Sequence, residues 1–345
     1  MNSNWAQYAW VPITLFAALA QTGRNAAQRS LVAQAGTMGA TLARFLYGLP
    51  LAGLWVLALY LVPDTGAVGW PAFGGRYVGW LLLGAAGQLF ATACLLAAMK
   101  QRNFVIGVAF SKTDALQVAL FSTVLLHEWP SVPVLLAMLV ATAGVLLLSP
   151  RGKGGTIATD GPTPWAGWAV VYGLASGAGF ALCAVGFRGA ALALPDVSPW
   201  VCAAWSVLLA QAIQSVALGA WLLWRDASAL RSLVTQWRVS MTAGGAGALA
   251  SIAWFTAFAM TSAVHVRTLG MVEVVFSYAV SHFVLHEHTS WPQRVGLPLI
   301  LAGVLGLVLA CITAPANATA HRWWWGAPRA PLLARRATTP ASATT

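Results

Sequence analysis

The sequence predicts an all-α polytopic membrane protein with ten transmembrane helices in two inverted five-helix repeats. The chain of 345 residues is 59% hydrophobic and only 8% charged, with a mean hydropathy of +0.73. Soluble domains carry about a quarter charged residues, so this much apolar surface requires lipid as its main solvent. A motif that recurs at one fixed spacing divides the chain into two similar halves.

Ten long stretches of the chain contain few charges, and each is close to the ~20 residues that a helix needs to cross a ~30 Å hydrocarbon core. Backbone groups in lipid must bond within their own segment, and barrel strands would alternate in polarity, so we predict helices. The approximate ranges are 5–22, 40–62, 77–98, 104–126, 131–149, 166–187, 199–223, 241–261, 264–285 and 295–313.

The recurring motif joins a His-Glu pair to a later proline and an Ala-Gly-Val triplet. Its copies lie at His127, Glu128, Pro133 and Gly144 and, 159 residues further on, at His286, Glu287, Pro292 and Gly303. Because each repeat holds an odd number of helices, the second must enter the membrane from the opposite side, and the repeats are therefore inverted. We assign the first repeat to residues 1–150 and the second to 165–313, with a linker at 151–164 and a disordered basic tail at 314–345.

Composition and motifs exclude several function classes. The net charge of +11 does not indicate a nucleic-acid partner, because the basic residues are scattered through short loops and the tail, where anionic headgroups attract them. The four cysteines fall inside predicted helices, where we expect them to pack as small apolar side chains. Neither a phosphate-binding Gly-Lys-Ser/Thr loop nor a catalytic constellation is present, so we expect neither ATP-driven transport nor an enzyme.

A histidine cluster near the second His-Glu pair is the one candidate for metal binding. His282, His286 and His288 surround Glu287, and the first two have the i, i+4 spacing of a helical metal pair. The first repeat has Thr123 at the position equivalent to His282, and the cluster contains no thiolate. We therefore predict no metal site and no other cofactor.

The arrangement resembles the EamA-type branch of the drug/metabolite transporter (DMT) superfamily. Each fourth helix ends in a glutamate and each fifth in Ala-Gly-Val-Leu, and Ala43-Arg44-Phe45 is similar to that family's arginine at the second-helix entrance. The resemblance covers about residues 5–313. It implies a secondary carrier that exports or exchanges small metabolites or drugs, and we expect a multi-pass protein of the cell membrane, inner or plasma.

Two carboxylates lie at equivalent positions of the repeats. Asp114 is predicted about ten residues into the fourth helix, roughly 15 Å deep, and Glu273 follows 159 residues later at a similar depth in the ninth. Inverted-repeat carriers place substrate and coupling-ion sites near the midplane, and a lone carboxylate there is costly and functional by default. Polar side chains share the helix face of each carboxylate: Ser111 and Gln117 with Asp114, and Ser277 and Ser281 with Glu273.

Several interpretations of these charges stay open. Asp114 and Glu273 either load and release protons, as a proton-coupled antiporter requires, or form permanent salt bridges with Lys112, Arg44 or Arg267. Lys112 and Arg44 are either counter-ions for the carboxylates or direct contacts to an anionic substrate. The rival functions are a proton-independent facilitator or exchanger and a non-transporting membrane scaffold, although a scaffold has no need of charge inside the bilayer.

Glu128 and Glu287 are predicted to be structural rather than catalytic acids. Both lie in a short turn before a helix N-terminus, where a carboxylate complements the helix dipole and caps free N–H groups. For the chain as a whole, basic residues in alternate loops place the termini outside the cytoplasm, whereas the resemblance implies cytoplasmic termini. Both orientations stay open, as does the oligomeric state.

Overall fold

The computed structural model describes residues 7–62, 69–99, 110–148, 164–284 and 291–313, and every regular element within these ranges is helical. The all-helical class is therefore confirmed for this part of the chain. The predicted tail 314–345 lies outside the described residues, as does the predicted linker 151–164 apart from its last residue, Pro164, which begins a helix.

Twelve α-helices follow one another in the described ranges, and a π-helical turn (Ser122–Leu126) continues the fourth. They are α1 (Trp10–Leu46), α2 (Leu49–Leu61), α3 (Gly75–Met99), α4 (Asp114–Phe121), α5 (Val132–Leu148), α6 (Pro164–Leu192), α7 (Pro199–Arg225), α8 (Ala227–Thr235), α9 (Trp237–Met260), α10 (Ala263–Gly270), α11 (Val272–Val284) and α12 (Trp291–Thr313).

Six segments of the described chain are long and apolar enough to cross a membrane. They are Ala35–Leu61, Gly75–Ala98, Trp168–Leu192, Pro199–Arg225, Trp237–Met260 and Arg294–Thr313. Two shorter apolar segments, Asp114–Leu126 and Val132–Leu148, lie between the second and third of these. This repetition of long apolar helices is that of a polytopic membrane protein.

The first helix differs from its prediction. A loop was expected between residues 22 and 40, but the chain stays helical from Trp10 to Leu46, with one break at Gly36. Gly36 has φ +66° and ψ 174°, a backbone conformation essentially restricted to glycine. The polar residues that suggested a loop belong to a helix, in which Thr22 and Arg24 are buried and Asn25 is exposed.

The glycines of the Ala-Gly-Val triplets hold α5 and α12 together. A β-carbon on Gly144 would lie 2.7 Å from the carbonyl oxygen of Gly296 and 2.7 Å from the amide nitrogen of Ile300. A β-carbon on Gly303 would lie 2.6 Å from the carbonyl oxygen of Ala137 and 2.6 Å from the amide nitrogen of Ala141. Glycine has no β-carbon and therefore permits two backbones to approach this closely. Close contacts between membrane helices generally rely on small residues of this kind. We call this contact the glycine seam.

The interior of the bundle is formed by the remaining long helices. α1 packs mainly against α9, and α3 packs mainly against α6. Their contacts bury small and aromatic side chains, including Ala17, Ala85 and Phe187. All four cysteines are free, and Cys94, Cys183 and Cys202 are buried. The bundle therefore has an apolar interior in which each buried polar group requires an explanation of its own.

Candidate functional site

Asp114 and Glu273 lie at two breaks in the helices. Lys112 and Thr113 form a turn immediately before α4, and Met271 separates α10 from α11. Asp114 is the first residue of α4 and Glu273 lies in the first turn of α11, so neither is ten residues into an unbroken helix as predicted. A carboxylate at a helix N-terminus is stabilised by the free N–H groups and the helix dipole.

The two breaks meet at one cavity. Its empty volume is about 330 Å³ including the space open to solvent. The cavity is lined by Lys112, Asp114, Val145, Arg267, Gly270, Met271, Glu273 and Val274. Three residues predicted from the sequence, Asp114, Glu273 and Lys112, are thus brought together from the two halves of the chain.

Asp114 is ion-paired within this cavity. Its Oδ2 accepts from Nη2 of Arg267, and 9% of the Asp114 side chain is exposed. The Arg267 guanidinium also lies 5.8 Å from the ring centre of Trp254, within the range of a cation–π contact. Of the three candidate partners named from the sequence, Arg267 is therefore the one that pairs with Asp114. A charged Asp114 compensates a buried guanidinium that would otherwise be costly in the membrane interior.

Glu273 is held differently, by two side-chain amides of α1. Nε2 of Gln21 donates to its Oε2 at 2.6 Å, and Nδ2 of Asn25 donates to its Oε1 at 3.1 Å. The indole Nε1 of Trp254 donates to Oε1 of Gln21 at 2.9 Å and thereby fixes which way the amide points. Glu273 also interacts electrostatically with Arg24 and Arg267. This arrangement connects α1 and α9 to the start of α11.

Arg44 does not join the carboxylates. It forms no ion pair with Asp114 or Glu273, and its guanidinium lies 4.7 Å from the ring centre of the adjacent Phe45. Its side chain is buried, and Nε has no hydrogen-bond partner. Arg24 is buried nearby, and its Nε and Nη2 donate to Oδ1 of Asn25 at 3.2 and 2.7 Å.

The other predicted polar residues are divided among different surroundings. Ser111 is buried just before the turn that precedes α4, whereas Nε2 of Gln117 donates to the hydroxyl of Thr113 and to the carbonyl oxygen of Leu174. Gln117 thus contacts α6 rather than the cavity. Ser277 is exposed, and the side chain of Ser281 lies outside the described part of the chain.

Comparison with known proteins identifies the architecture. Residues 165–309 match the sequence profile of the EamA-like transporter family, a part of the DMT superfamily. The matched residues lie in the second half of the chain. The resemblance predicted from the sequence is thereby confirmed, and the family consists of membrane transporters of small molecules rather than enzymes.

One solved structure, described as "Crystal structure of protein", has a similar fold to this chain. The TM-score is 0.65 at 17% sequence identity, and the match covers 89% of this chain and 99% of the other. At this identity the likeness concerns the fold alone. No curated protein matches the sequence. The family match supports the predicted small-molecule substrate and the multi-pass location in a bilayer.

Glu128 lies in the turn before α5, as predicted, but it does not cap that helix. Its Oε1 accepts from Nε of Arg188 at 2.9 Å and from Nη2 at 2.8 Å, and its Oε2 is buried without a hydrogen-bond partner. Arg188 also donates from Nη1 to the carbonyl oxygens of Phe258 and Ala259. The pair therefore connects three parts of the chain. Glu287, its counterpart in the motif, lies outside the described residues.

Sequence reasoning missed the contribution of α1 to the site. Gln21 and Asn25 are four residues apart and therefore lie on one helix face, with Arg24 beside them. The four-residue spacing could have indicated a polar helix face, but these polar residues, which follow an apolar stretch, were predicted to form a loop. Among the described residues no group of three or more potential metal ligands occurs, and His286 and His288 lie outside them.

Proposed function

We propose that the protein is a secondary transporter that exports or exchanges small metabolites or drugs by alternating access between two inverted five-helix repeats. The observation that carries the proposal is the shared cavity, into which each half of the chain contributes one carboxylate at a helix break. Asp114 and Glu273 differ by 159 residues, and so do the break residues Lys112 and Met271. Broken helices around a central site are typical of secondary carriers.

The packing of the helices supports the inverted repeats. Shifting α3 forward by 159 residues gives 234–258, which overlaps most of α9, and shifting α6 back by 159 gives 5–33, which overlaps the part of α1 before Gly36. The two main packing pairs, α3 with α6 and α1 with α9, are therefore equivalent under the repeat. If α1 is divided at Gly36 and its second part is joined to α2, α10 is joined to α11 and the short α8 is set aside, the described helices supply ten segments in the expected order.

We assign proton coupling to Glu273 rather than to Asp114. Protonation of Asp114 would leave Arg267 buried without its counter-ion, which is costly in a low dielectric. Protonation of Glu273 at Oε2 would instead place a hydroxyl against the N–H of Gln21, whose orientation is fixed by Trp254. The hydrogen bond from Gln21 would then break while that from Asn25 to Oε1 remains, so proton loading would weaken the connection between α1 and α11 without abolishing it.

A proton-independent exchanger is the second candidate function. It is favoured by the ion pair between Asp114 and Arg267 and by the two amides that donate to Glu273, because all of these contacts stabilise charged carboxylates. In that case both acids bind substrate and neither carries a proton. A non-transporting scaffold is disfavoured, because it gains nothing from the cost of buried charges.

Transport in liposomes under an imposed pH gradient separates these functions. We expect wild type to accumulate at least one compound from a panel of amino acids, nucleobases and cationic drugs. Glu273→Gln should lose gradient-driven accumulation but retain exchange of the same compound at equal pH, whereas Asp114→Asn should lose both. Ser277→Ala, one turn from Glu273 and exposed, is the matched control and should behave as wild type.

Two results would contradict proton coupling. The first is gradient-driven flux that is unchanged in both carboxylate variants. The second is wild-type flux that does not respond to the pH gradient while exchange proceeds, which would establish the exchanger instead.

A further inference from the structure

A second group of buried polar side chains surrounds Arg44. A β-carbon on Gly247 of α9 would lie 2.7 Å from Cγ of Arg44 and 3.5 Å from Cδ of Arg24, so the two arginines pass side by side over this glycine. Arg44 interacts electrostatically with Arg24 and with Cys183 of α6. Two like charges are therefore adjacent in the interior of the bundle, an arrangement that is unfavourable unless something compensates for it.

Two side chains of α7 complete the group. A β-carbon on Gly48 would lie 2.7 Å from the carbonyl oxygen of Arg44 and 3.0 Å from Oε1 of Gln211, so the Gln211 amide lies beside the backbone of the turn that Arg44 begins. Ser215 follows Gln211 by four residues on the same helix face. We refer to Arg24, Arg44, Gln211 and Ser215 as the arginine cluster, and each is less than one-tenth exposed.

The arginine cluster contains several polar atoms without partners. Nε of Arg44, both amide atoms of Gln211 and Oγ of Ser215 are buried and make no hydrogen bond. More than nine-tenths of buried polar groups in proteins are hydrogen-bonded. The unpartnered Nε of Arg44 and the unpartnered amide of Gln211, which lies beside the Arg44 backbone, therefore indicate a ligand, and the side chains of the cluster offer guanidinium and amide N–H groups and a hydroxyl.

The balance of charge indicates which ligand is needed. Arg267 is neutralised by Asp114, and Arg24 is linked through Asn25 to Glu273. Arg44 has no carboxylate partner in the described part of the chain. The cations of the two polar groups therefore outnumber the carboxylates: the buried Arg24 and Arg44 and the half-buried Arg267 and Lys112 stand against Asp114 and Glu273.

We infer that the arginine cluster binds the oxyanion group of the transported substrate, so that the substrates are small organic anions. An oxyanion accepts hydrogen bonds in the geometry of a guanidinium fork and supplies the missing negative charge. A neutral or cationic substrate would leave Arg44 uncompensated. The inference rests on the proposed transport function, because it identifies the bound anion as the transported substrate. Binding of the anion can be measured without transport.

Carboxylates and phosphates share this chemistry, and a binding experiment distinguishes them. The full chain in a neutral detergent at constant ionic strength is heated with succinate or its neutral diamide, and with glucose 6-phosphate or glucose. We expect at least one anion to raise the melting temperature of the wild type while its neutral partner does not. A response to succinate alone identifies a carboxylate site, and a response to the sugar phosphate alone identifies a phosphate site.

Substitutions then test the arginine cluster itself. Arg44→Gln should weaken the binding of the active anion at least tenfold, and Gln211→Leu should also weaken it. Arg238→Gln, which removes an exposed arginine of α9, should bind the anion as wild type does. Without ligand, Arg44→Gln should melt no lower than wild type, because it removes an uncompensated buried charge. An arginine with a purely structural role would lower the melting temperature when it is replaced.

The inference is overturned if neither anion stabilises the wild type over its neutral partner, or if Arg44→Gln keeps the full response. A transport assay in liposomes distinguishes failure of the anion-binding inference from failure of the proposed transport function. Arg44-dependent binding of an anion that is never carried would refute transport and leave the binding site intact. Carriage of only neutral or cationic compounds, unchanged in Arg44→Gln, would refute the anion site and leave transport intact.

Discussion

Alanine at Gly144 or Gly303 would force α5 and α12 apart at the glycine seam. The new methyl groups would lie 2.7 Å and 2.6 Å from backbone atoms of the facing helix. Carbon atoms normally keep about 3.3 Å or more from such atoms, so each substitution requires a separation of roughly 0.6 Å. Backbone atoms cannot rotate out of the way as a flexible side chain can, and the whole helix contact has to change.

The expected loss of unfolding free energy is about 1–3 kcal/mol for each substitution, the usual cost of overfilling a packed interface. Because the two sites are equivalent under the 159-residue offset, Gly144→Ala and Gly303→Ala should cost similar amounts. Separation of the helices by the first substitution makes room for the second. The double variant should therefore lose less than the sum of the single losses, since residues at one contact are energetically coupled.

Unfolding by a denaturing detergent in mixed micelles measures these differences. Gly306→Ala is the matched control, because a β-carbon there would meet only Cβ of Ala137 at 3.8 Å, an ordinary contact. It should be neutral or slightly stabilising, as alanine favours helices over glycine. The packing argument is refuted if Gly144→Ala and Gly303→Ala are as stable as Gly306→Ala, or if their effects add fully.

Three further predictions concern the backbone, an ion pair and a helix cap. Gly36→Ala should cost about 1–3 kcal/mol of unfolding free energy through its positive φ alone, whereas Gly53→Ala, in an unstrained helix with equal space, should cost nothing. Arg188→Met should lower the unfolding free energy by about 1–3 kcal/mol, and by more than Glu128→Gln does, because the arginine also donates to two carbonyl groups. Thermal unfolding of both variants measures which loss is larger. Hydrogen bonds from the neighbouring Ser228 hydroxyl and the Ala229 N–H hold the pKa of Asp226 below its usual value. The charged carboxylate therefore stabilises the folded protein at pH values above the ordinary carboxyl pKa, and this stabilisation is lost as the pH falls through the lowered pKa. Between neutral and acidic pH, the melting temperature of wild type should therefore fall by more than that of Asp226→Asn.

The sequence predicted which carboxylates to compare but not what surrounds them. The 159-residue offset leads from Asp114 to Glu273 because duplication preserves register, and register can be counted without coordinates. The partners Gln21 and Asn25 were missed, because average hydropathy treats a polar turn of helix as a loop. Only the packing of α1 against α9 shows that this turn faces the interior.

Other parts of the site depend on tertiary packing that local rules do not contain. Glu128 sits before a helix, where a cap is the usual role, yet its partner Arg188 comes from a different part of the chain. The break at Met271 lies within an apolar stretch with no proline, so periodicity alone predicted a continuous helix. Arg44 was recognised from family resemblance, whereas its neighbours Gln211 and Ser215 were not, because their shared location arises only when α7 folds against the α1–α2 junction.

The glycine seam also accounts for the recurrence of the Ala-Gly-Val triplet. Position 144 faces positions 296 and 300, and position 303 faces positions 137 and 141. These partners are also 159 residues apart, so each triplet meets the same kind of neighbour on the facing helix. One steric requirement therefore acts on both triplets, whereas Thr123 and His282, at another pair of equivalent positions, differ. The most visible repeat of the sequence is thus explained by a helix contact rather than by the chemistry of the cavity.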